Sequence, residues 1–165
     1  MSIPGLKNSH CSYCGAVFAA DQPWPRTCAG CASISYVNPL PVAVLLLPVD
    51  AGVLVVRRAI PPRRGQLALP GGFIDQGESW QAAAAREMRE ETDITVTADE
   101  IRLFDVHSAP DGTLLVFGTA QPRRSFDLPA FSTNVEVGER VVLARPEPLA
   151  FPLHTRVVER WFAGR

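Results

Sequence analysis

Glu87, Glu90 and Glu91 stand at i, i+3 and i+4 of a helix-forming stretch. At 3.6 residues per turn that spacing gathers three carboxylates within an arc of roughly 100° on one helix face. Like charges so placed repel one another and destabilise a helix. A divalent cation reverses the sign of that effect, and hard carboxylate oxygens suit Mg²⁺ or Mn²⁺. The cluster also lies toward a helix C-terminus, where the macrodipole favours cations. Glu-x-x-Glu-Glu alone is met by any solvated acidic face, so its surroundings decide its meaning. Upstream come Glu78 and the pair Gly71-Gly72, which lets backbone approach a metal and a pyrophosphate closely. Four arginines, Arg57, Arg58, Arg63 and Arg64, precede them. Guanidinium forks bind phosphate oxygens bidentately, and Arg57 and Arg58, at a strand end, are the better candidates.

A second constellation is separate. Cys11-x2-Cys14 and Cys28-x2-Cys31 lie thirteen residues apart. Each pair brackets a tight turn, the spacing of two knuckles that give four thiolates to one tetrahedral Zn²⁺. A closed four-cysteine site has no open position and is expected to be structural. About thirty residues cannot bury enough surface to fold alone, and the metal supplies what is missing. Trp24, between the pairs, reads as a packing anchor.

The positioning elements follow from the rest of the pattern. Val42 to Leu47 is a continuous apolar run, read as a buried strand. Asp50-Ala51-Gly52 turns into a strand over Val53 to Val56. Gln66 to Leu69 is a short strand, followed by a glycine loop. Ser79 is the expected N-cap of a helix rich in alanine from Ala82 to Ala85. Strands are expected over Ile94 to Thr97, Ile101 to His107, Thr113 to Ala120 and Arg140 to Ala144, with a closing helix from Thr155 to Phe162. His107 is a lone histidine at a strand end, and a structural role is the commoner one there.

The stretch from Gly72 to Ile94 resembles the Nudix box. Gly72, Glu78, Arg86, Glu87, Met88, Glu90, Glu91 and Ile94 match its pattern. Six such fixed positions coincide by chance at on the order of one in ten million starting points. One position departs: the closing glycine is Asp93. Aspartate tolerates the left-handed conformation expected there better than most residues. The resemblance implies an α/β fold, an α/β/α sandwich with a mixed sheet, here preceded by a zinc ribbon: 1–38 ribbon, 39–165 Nudix hydrolase domain. It implies that Glu87, Glu90, Glu91 and the Gly72 carbonyl hold Mg²⁺ or Mn²⁺ and that Glu78 supports that shell. Arg86 is expected to orient the carboxylates, and Gly71, Gly72 and Phe73 to line the substrate with Arg57 and Arg58. An additional acid from outside the box is expected, with Glu136 and Glu139 the candidates beside Glu87 for the general base. Further matches are Tyr36-x-Asn38-Pro39, Arg58-x-Ile60-x-Pro62, Leu69-Pro70-Gly71-Gly72-Phe73 and Leu149-Ala150-Phe151. Together they are similar to the zinc-ribbon Nudix hydrolases.

That resemblance implies hydrolysis of a phosphoric anhydride in a nucleoside diphosphate linked to X, of a dinucleotide type such as FAD, ADP-ribose or NADH. The alternative is a catalytically weak Nudix domain serving as nucleotide sensor or adaptor. An isomerase on the same fold is disfavoured by the complete set of box acids. A net charge of −1, and one arginine with no lysine between Cys11 and Cys31, argue against nucleic acid as a partner. No apolar run reaches 18 residues, so no membrane span is expected. Free thiols and the absence of an apolar leader point to the cytoplasm. The group X is left to surrounding loops and to the second subunit of a homodimer.

Overall fold

The computed structural model describes residues 7–164. The chain divides into two compact units, with the boundary between Pro39 and Leu40. In the first, β1 (Arg26–Thr27) pairs antiparallel with β2 (Ile34–Ser35). Its small core is Cys11, Phe18 and Cys28 with Ala16 against them. Trp24 meets Phe18 edge-on at 5.9 Å, and the Arg26 guanidinium lies over the Trp24 ring at 4.6 Å. The aromatic therefore packs within its own unit, as a ribbon with so little apolar surface requires.

The second unit holds two sheets. Strands β3 (Leu40–Leu46), β4 (Pro48–Val49), β5 (Gly52–Arg58), β6 (Leu67–Ala68), β7 (Gly71–Phe73), β8 (Arg102–Ser108), β9 (Thr113–Thr119) and β10 (Val137–Leu143) are joined by helices α1 (Trp80–Thr92) and α2 (Pro152–Ala163). The order β7-β3-β9-β8 is mixed, because β3 and β9 run parallel while the other pairings are antiparallel. The second sheet, β10-β5-β4 with β6 on β5, is antiparallel.

Alternation along β3 makes the sandwich. Ala43, Leu45 and Leu47 face a core with Ala83, Ala84 and Met88 of α1, whereas Val44 and Leu46 face a core with Val157 and Val158 of α2. A strand buried on both faces must read as a continuous apolar run, and this one does. The two helices thus cover opposite faces, giving the α/β/α layering.

Three expectations are corrected. The glycine loop at Gly71-Gly72 is strand β7, with Ala43 opposite Gly72 and Val44 opposite Gly71. A Cβ on Gly71 would stand 2.3 Å from the Ala43 carbonyl oxygen, so only glycine admits this pairing. Ile94 to Thr97 is no strand. It leads into a short 3-10 turn, Ala98–Glu100. Ile94 and Val96 alternate with exposed Thr95 and Thr97 because they reach into the α1 core, without a ladder partner. Third, β10 and α2 each begin three residues earlier than expected, since β10 continues past a bulge at Gly138 and Pro152 opens the helix with its pre-set φ.

Candidate active site

Helix α1 presents the acids. Ser79 caps it, its hydroxyl accepting the Ala82 N–H at 3.1 Å. Met88, Ala83 and Ala84 are buried beneath it, which fixes the rotation of the helix and turns the glutamates toward β7. Arg86 is the hub. Its Nε and Nη2 donate to the two oxygens of Glu78 at 3.0 and 3.1 Å, and Nη1 donates to Glu87 at 2.7 Å and to Glu90 at 3.3 Å. Nη2 also reaches the Phe73 carbonyl at 3.0 Å. The bonds to Glu78 first, then Glu87, hold Arg86 more firmly protonated than usual, and the Arg86 partner in turn depresses Glu78.

Glu91 lies deeper, 8% exposed, and accepts the Gly71 N–H at 3.0 Å. Burial first, then the charges of Glu87 and Glu136, push its carboxyl up to about 8, against the pull of Gly71 N–H and Arg58. Glu87 is also raised, by burial first and by Glu90 and Glu136, against Arg86. Two carboxylates held in this way carry negative charge at a cost that a cation would relieve. A Cβ on Gly72 would meet Glu87 Oε1 at 2.3 Å, so the bare backbone of Gly72 lies directly beside that carboxylate. Carboxylates and a bare backbone carbonyl are the donor set of a hard divalent cation, and these residues fit one. No trio of glutamate oxygens gathers within 4.8 Å among the described residues; Glu87 and Glu90 lean instead on Arg86.

The two acids outside the box separate. The Glu136 N–H is donated to Asn134 Oδ1 at 2.9 Å, and Asn134 is bonded to the Glu90 carbonyl, so this backbone is tied to the end of α1; the Glu136 charge adds a little to raising Glu87 and Glu91. Glu139 is paired with Arg57 at 2.7 Å, both about half exposed. Arg57 also donates to the Gly65 carbonyl at 3.0 Å. Arg58 donates to the Pro62 carbonyl at 2.8 Å, lies over the Phe151 ring at 5.3 Å, and its charge reaches Glu91. Phe73 leaves 57% of its surface open beside Arg86. His107, on β8, sits edge-on to Phe117 with Nε2 3.0 Å from Asp105 but off hydrogen-bonding alignment, an environment built of packing.

Residues that the sequence reading passed over complete the site. His154, buried in α2, accepts the Leu69 N–H at 3.2 Å and so fixes the strand that leads to Gly71. Burial first, and then Arg58, drives its imidazole down to about 3, leaving it neutral. Asn134 donates from Nδ2 to the Glu90 carbonyl at 2.9 Å while its Oδ1 accepts the N–H groups of Glu136 and Val137 at 2.9 and 2.8 Å. The only signal in the sequence was an asparagine two residues before an acid, the pattern of an Asx turn.

In the first unit the four cysteines place their sulfur atoms within 4.8 Å of one another. Cys11 and Cys31 are 3.7 Å apart and Cys14 and Cys28 3.5 Å, so no disulfide joins them. Backbone N–H groups of Tyr13 and Gly30 point at Cys11 and Cys28 at 3.4 and 3.3 Å. Such donors favour thiolate, and the N–H of Cys14 first, with that of Tyr13, lowers Cys11 to about 6. Four cysteine sulfurs at this spacing fit one zinc ion.

A family model described as NUDIX domain matches residues 38–151, and this chain belongs to that family. Its structure is similar to the crystal structure of a NUDIX hydrolase from Nitrosomonas europaea, with a TM-score of 0.75 and 29% identity over 95% of this chain and 92% of that one. An ADP-ribose pyrophosphatase of Methanocaldococcus jannaschii is 34% identical over 46% of this chain and 44% of its own length. An NAD-capped RNA hydrolase, NudC, of Edwardsiella ictaluri is 34% identical over 52% of this chain and 34% of its own. The chain therefore spans less than half the length of these two relatives. Among the described residues, no helix is long and apolar enough to cross a membrane.

Proposed function

We propose that this chain is a divalent-cation-dependent pyrophosphohydrolase that cleaves the phosphoric anhydride of a nucleoside diphosphate linked to X. The observation that carries the reading is the gathering of Glu78, Glu87 and Glu90 around Arg86, with Glu87 against the bare backbone of Gly72 and Glu91 on the Gly71 N–H. Mg²⁺ or Mn²⁺, when bound by Glu87, Glu90, Glu91 and the Gly72 carbonyl, would polarise the diphosphate and lower the pKa of the attacking water. Arg86 keeps Glu78, Glu87 and Glu90 gathered around it before any ligand arrives, and Glu87 and Glu90 would turn from it to share a cation with Glu91. Glu87 and Glu136 are the candidates to take the proton from water, since Glu139 is engaged by Arg57. Arg58 and the open ring of Phe73 are offered to the phosphates and to a planar base, respectively.

The printed activities of the relatives, on ADP-ribose and on an NAD cap, support a dinucleotide-type substrate such as ADP-ribose, NADH or FAD. The ribbon is assigned a structural Zn²⁺, and its thiolates suit the reducing cytoplasm. The reading is tested by incubating the full chain with FAD, ADP-ribose, NADH, diadenosine polyphosphates and oxidised dNTPs with Mg²⁺ or Mn²⁺, with phosphatase-coupled phosphate release as the signal. Turnover that Glu87→Gln and Glu90→Gln each abolish is expected. Full activity in either variant, or no turnover of any pair, overturns the hydrolase. Binding without turnover would instead support a nucleotide sensor.

A further inference from the structure

The residue that breaks the box pattern does something a glycine could not. Asp93 ends α1 in the left-handed conformation, φ 61° and ψ 8°, with its N–H on the Arg89 carbonyl. A side chain is unfavourable there, and a negative charge at a helix C-terminus adds to the penalty. Both are offset by what the carboxylate meets. Its Oδ2 accepts the Ser132 N–H at 3.0 Å, and Arg140 lies within its field. Ser132 belongs to the connection that runs from the 3-10 turn Ser125–Asp127 into β10.

The same connection is fastened to the end of α1 at further points. Arg140 bridges the Thr92 carbonyl, at 2.8 Å, and the Pro129 carbonyl, at 2.6 Å. Asn134 ties the Glu90 carbonyl to the N–H of Glu136. The last turn of the box helix therefore grips positions 129, 132 and 134, and position 136 carries the outlying acid.

We propose that Asp93 is a positioning residue: by accepting the Ser132 N–H it docks the 129–136 segment on the end of α1 and so sets where Glu136 stands relative to the box acids. The inference rests on the reading above in one respect, that Glu136 serves the cation and water site. The departure from glycine then exchanges an easier backbone for a fixed acid.

The test uses the full-length chain with Asp93→Gly, Asp93→Asn, Glu136→Gln and the double variant Asp93→Gly/Glu136→Gln. Amide exchange reads the latch directly, Mn²⁺ affinity by electron paramagnetic resonance reads the acid it positions, and kcat and KM read the consequence. Asp93→Gly is expected to fold and to exchange faster at Ser132 and Glu136. Its Mn²⁺ affinity and kcat should fall by about threefold to tenfold, the size one hydrogen bond carries, with KM little changed. Asp93→Asn, whose amide oxygen can accept the same N–H, should retain most of both. In the Glu136→Gln background Asp93→Gly should add nothing, because it acts through that residue. Wild-type exchange in Asp93→Gly, full multiplication of the two effects, or an Asp93→Asn as impaired as Asp93→Gly each overturns the proposal. If the wild-type chain hydrolyses nothing, only the hydrolase reading falls, and exchange with Mn²⁺ affinity still decides the latch.

Discussion

Gly71 and Gly72 are neighbours on one short strand, yet replacing each with alanine should break different things. At Gly72 an added Cβ would stand 2.3, 2.5 and 2.9 Å from Oε1, Cδ and Oε2 of Glu87. Every atom in its way is the far end of a flexible side chain. Glu87 can swing away, forfeiting its 2.7 Å bond to Arg86 but regaining water. A charge-assisted bond contributes about 1.5–3 kcal/mol, and relief of repulsion from Glu90 and Glu136 returns part of it. Gly72→Ala should therefore lose only about 1–2 kcal/mol of stability. Its activity should fall much further, by about 10²-fold or more, because a displacement near 1 Å at a reacting group costs that much. At Gly71 the added Cβ would be 2.3 Å from the Ala43 carbonyl oxygen and 2.7 Å from the Val44 Cα. Those are backbone atoms of the central strand and cannot step aside. Gly71→Ala should cost roughly 3 kcal/mol or more, the upper range for overpacking, as β7 separates from β3. Urea denaturation gives the stabilities, and initial rates on the best substrate of the panel give the activities. A Gly72→Ala of full activity, or a Gly71→Ala as stable as the parent, would refute the placement of Glu87 against β7 or of β7 against β3.

Other outcomes follow from the same contacts. Arg86→Ala leaves Glu78, Glu87 and Glu90 facing one another and should destabilise by about 2–4 kcal/mol, less than a fully buried pair because Glu90 is half exposed. Millimolar Mg²⁺ should recover part of the loss in a urea titration, and equal losses with and without the ion would count against a cation site. His154 is held near 3 in the native chain against 6.5 in the unfolded one, so its contribution is complete above about pH 6.5 and is lost as pH falls toward 3. The stability difference between wild type and His154→Asn should therefore shrink by on the order of 3 kcal/mol between pH 7 and pH 4, and a pH-independent difference would show that His154 is not buried neutral. Cys28→Ser should release zinc, measured by elemental analysis, and loosen the first unit to proteolysis; a folded wild-type chain free of zinc removes the four-thiolate assignment.

Where side-chain period or spacing is itself the message, the sequence was legible. The apolar run at Val42 to Leu47 announced a buried strand, Ser79 announced the start of α1, and the left-handed end at Asp93 was expected from its place in the box. The spacing of the paired Cys-x-x-Cys is enough to imply the proximity of four sulfurs. Two local errors have one cause: alternation and glycine content report local tendency, while strand assignment depends on a partner. Ile94 and Val96 alternate without a ladder, and Gly71-Gly72 pairs because it lacks side chains. What stayed hidden were contacts closed over long separations. Nothing near Glu136 or Glu139 tells which one is engaged by Arg57, and a histidine in an amphipathic helix does not disclose that its partner is the Leu69 N–H.

The parallel pairing of β3 with β9 has a consequence for the order in which the molecule is assembled. Leu40 lies opposite Thr113 and Leu46 opposite Thr119, and β10 must return still further, Leu143 to Val53. Pairings so remote in sequence close large loops before they gain anything, and they are slow. Helix α1 needs only its neighbours. During synthesis its row of glutamates is complete well before β10 has been made. The segment that carries Glu136 is made later and must then find the helix end. Kinetically the acidic turn exists first as a charge cluster on a helix, and the 129–136 segment reaches it only when the last strand arrives. Divalent cations present during refolding should therefore speed the final docking step more than the earlier collapse.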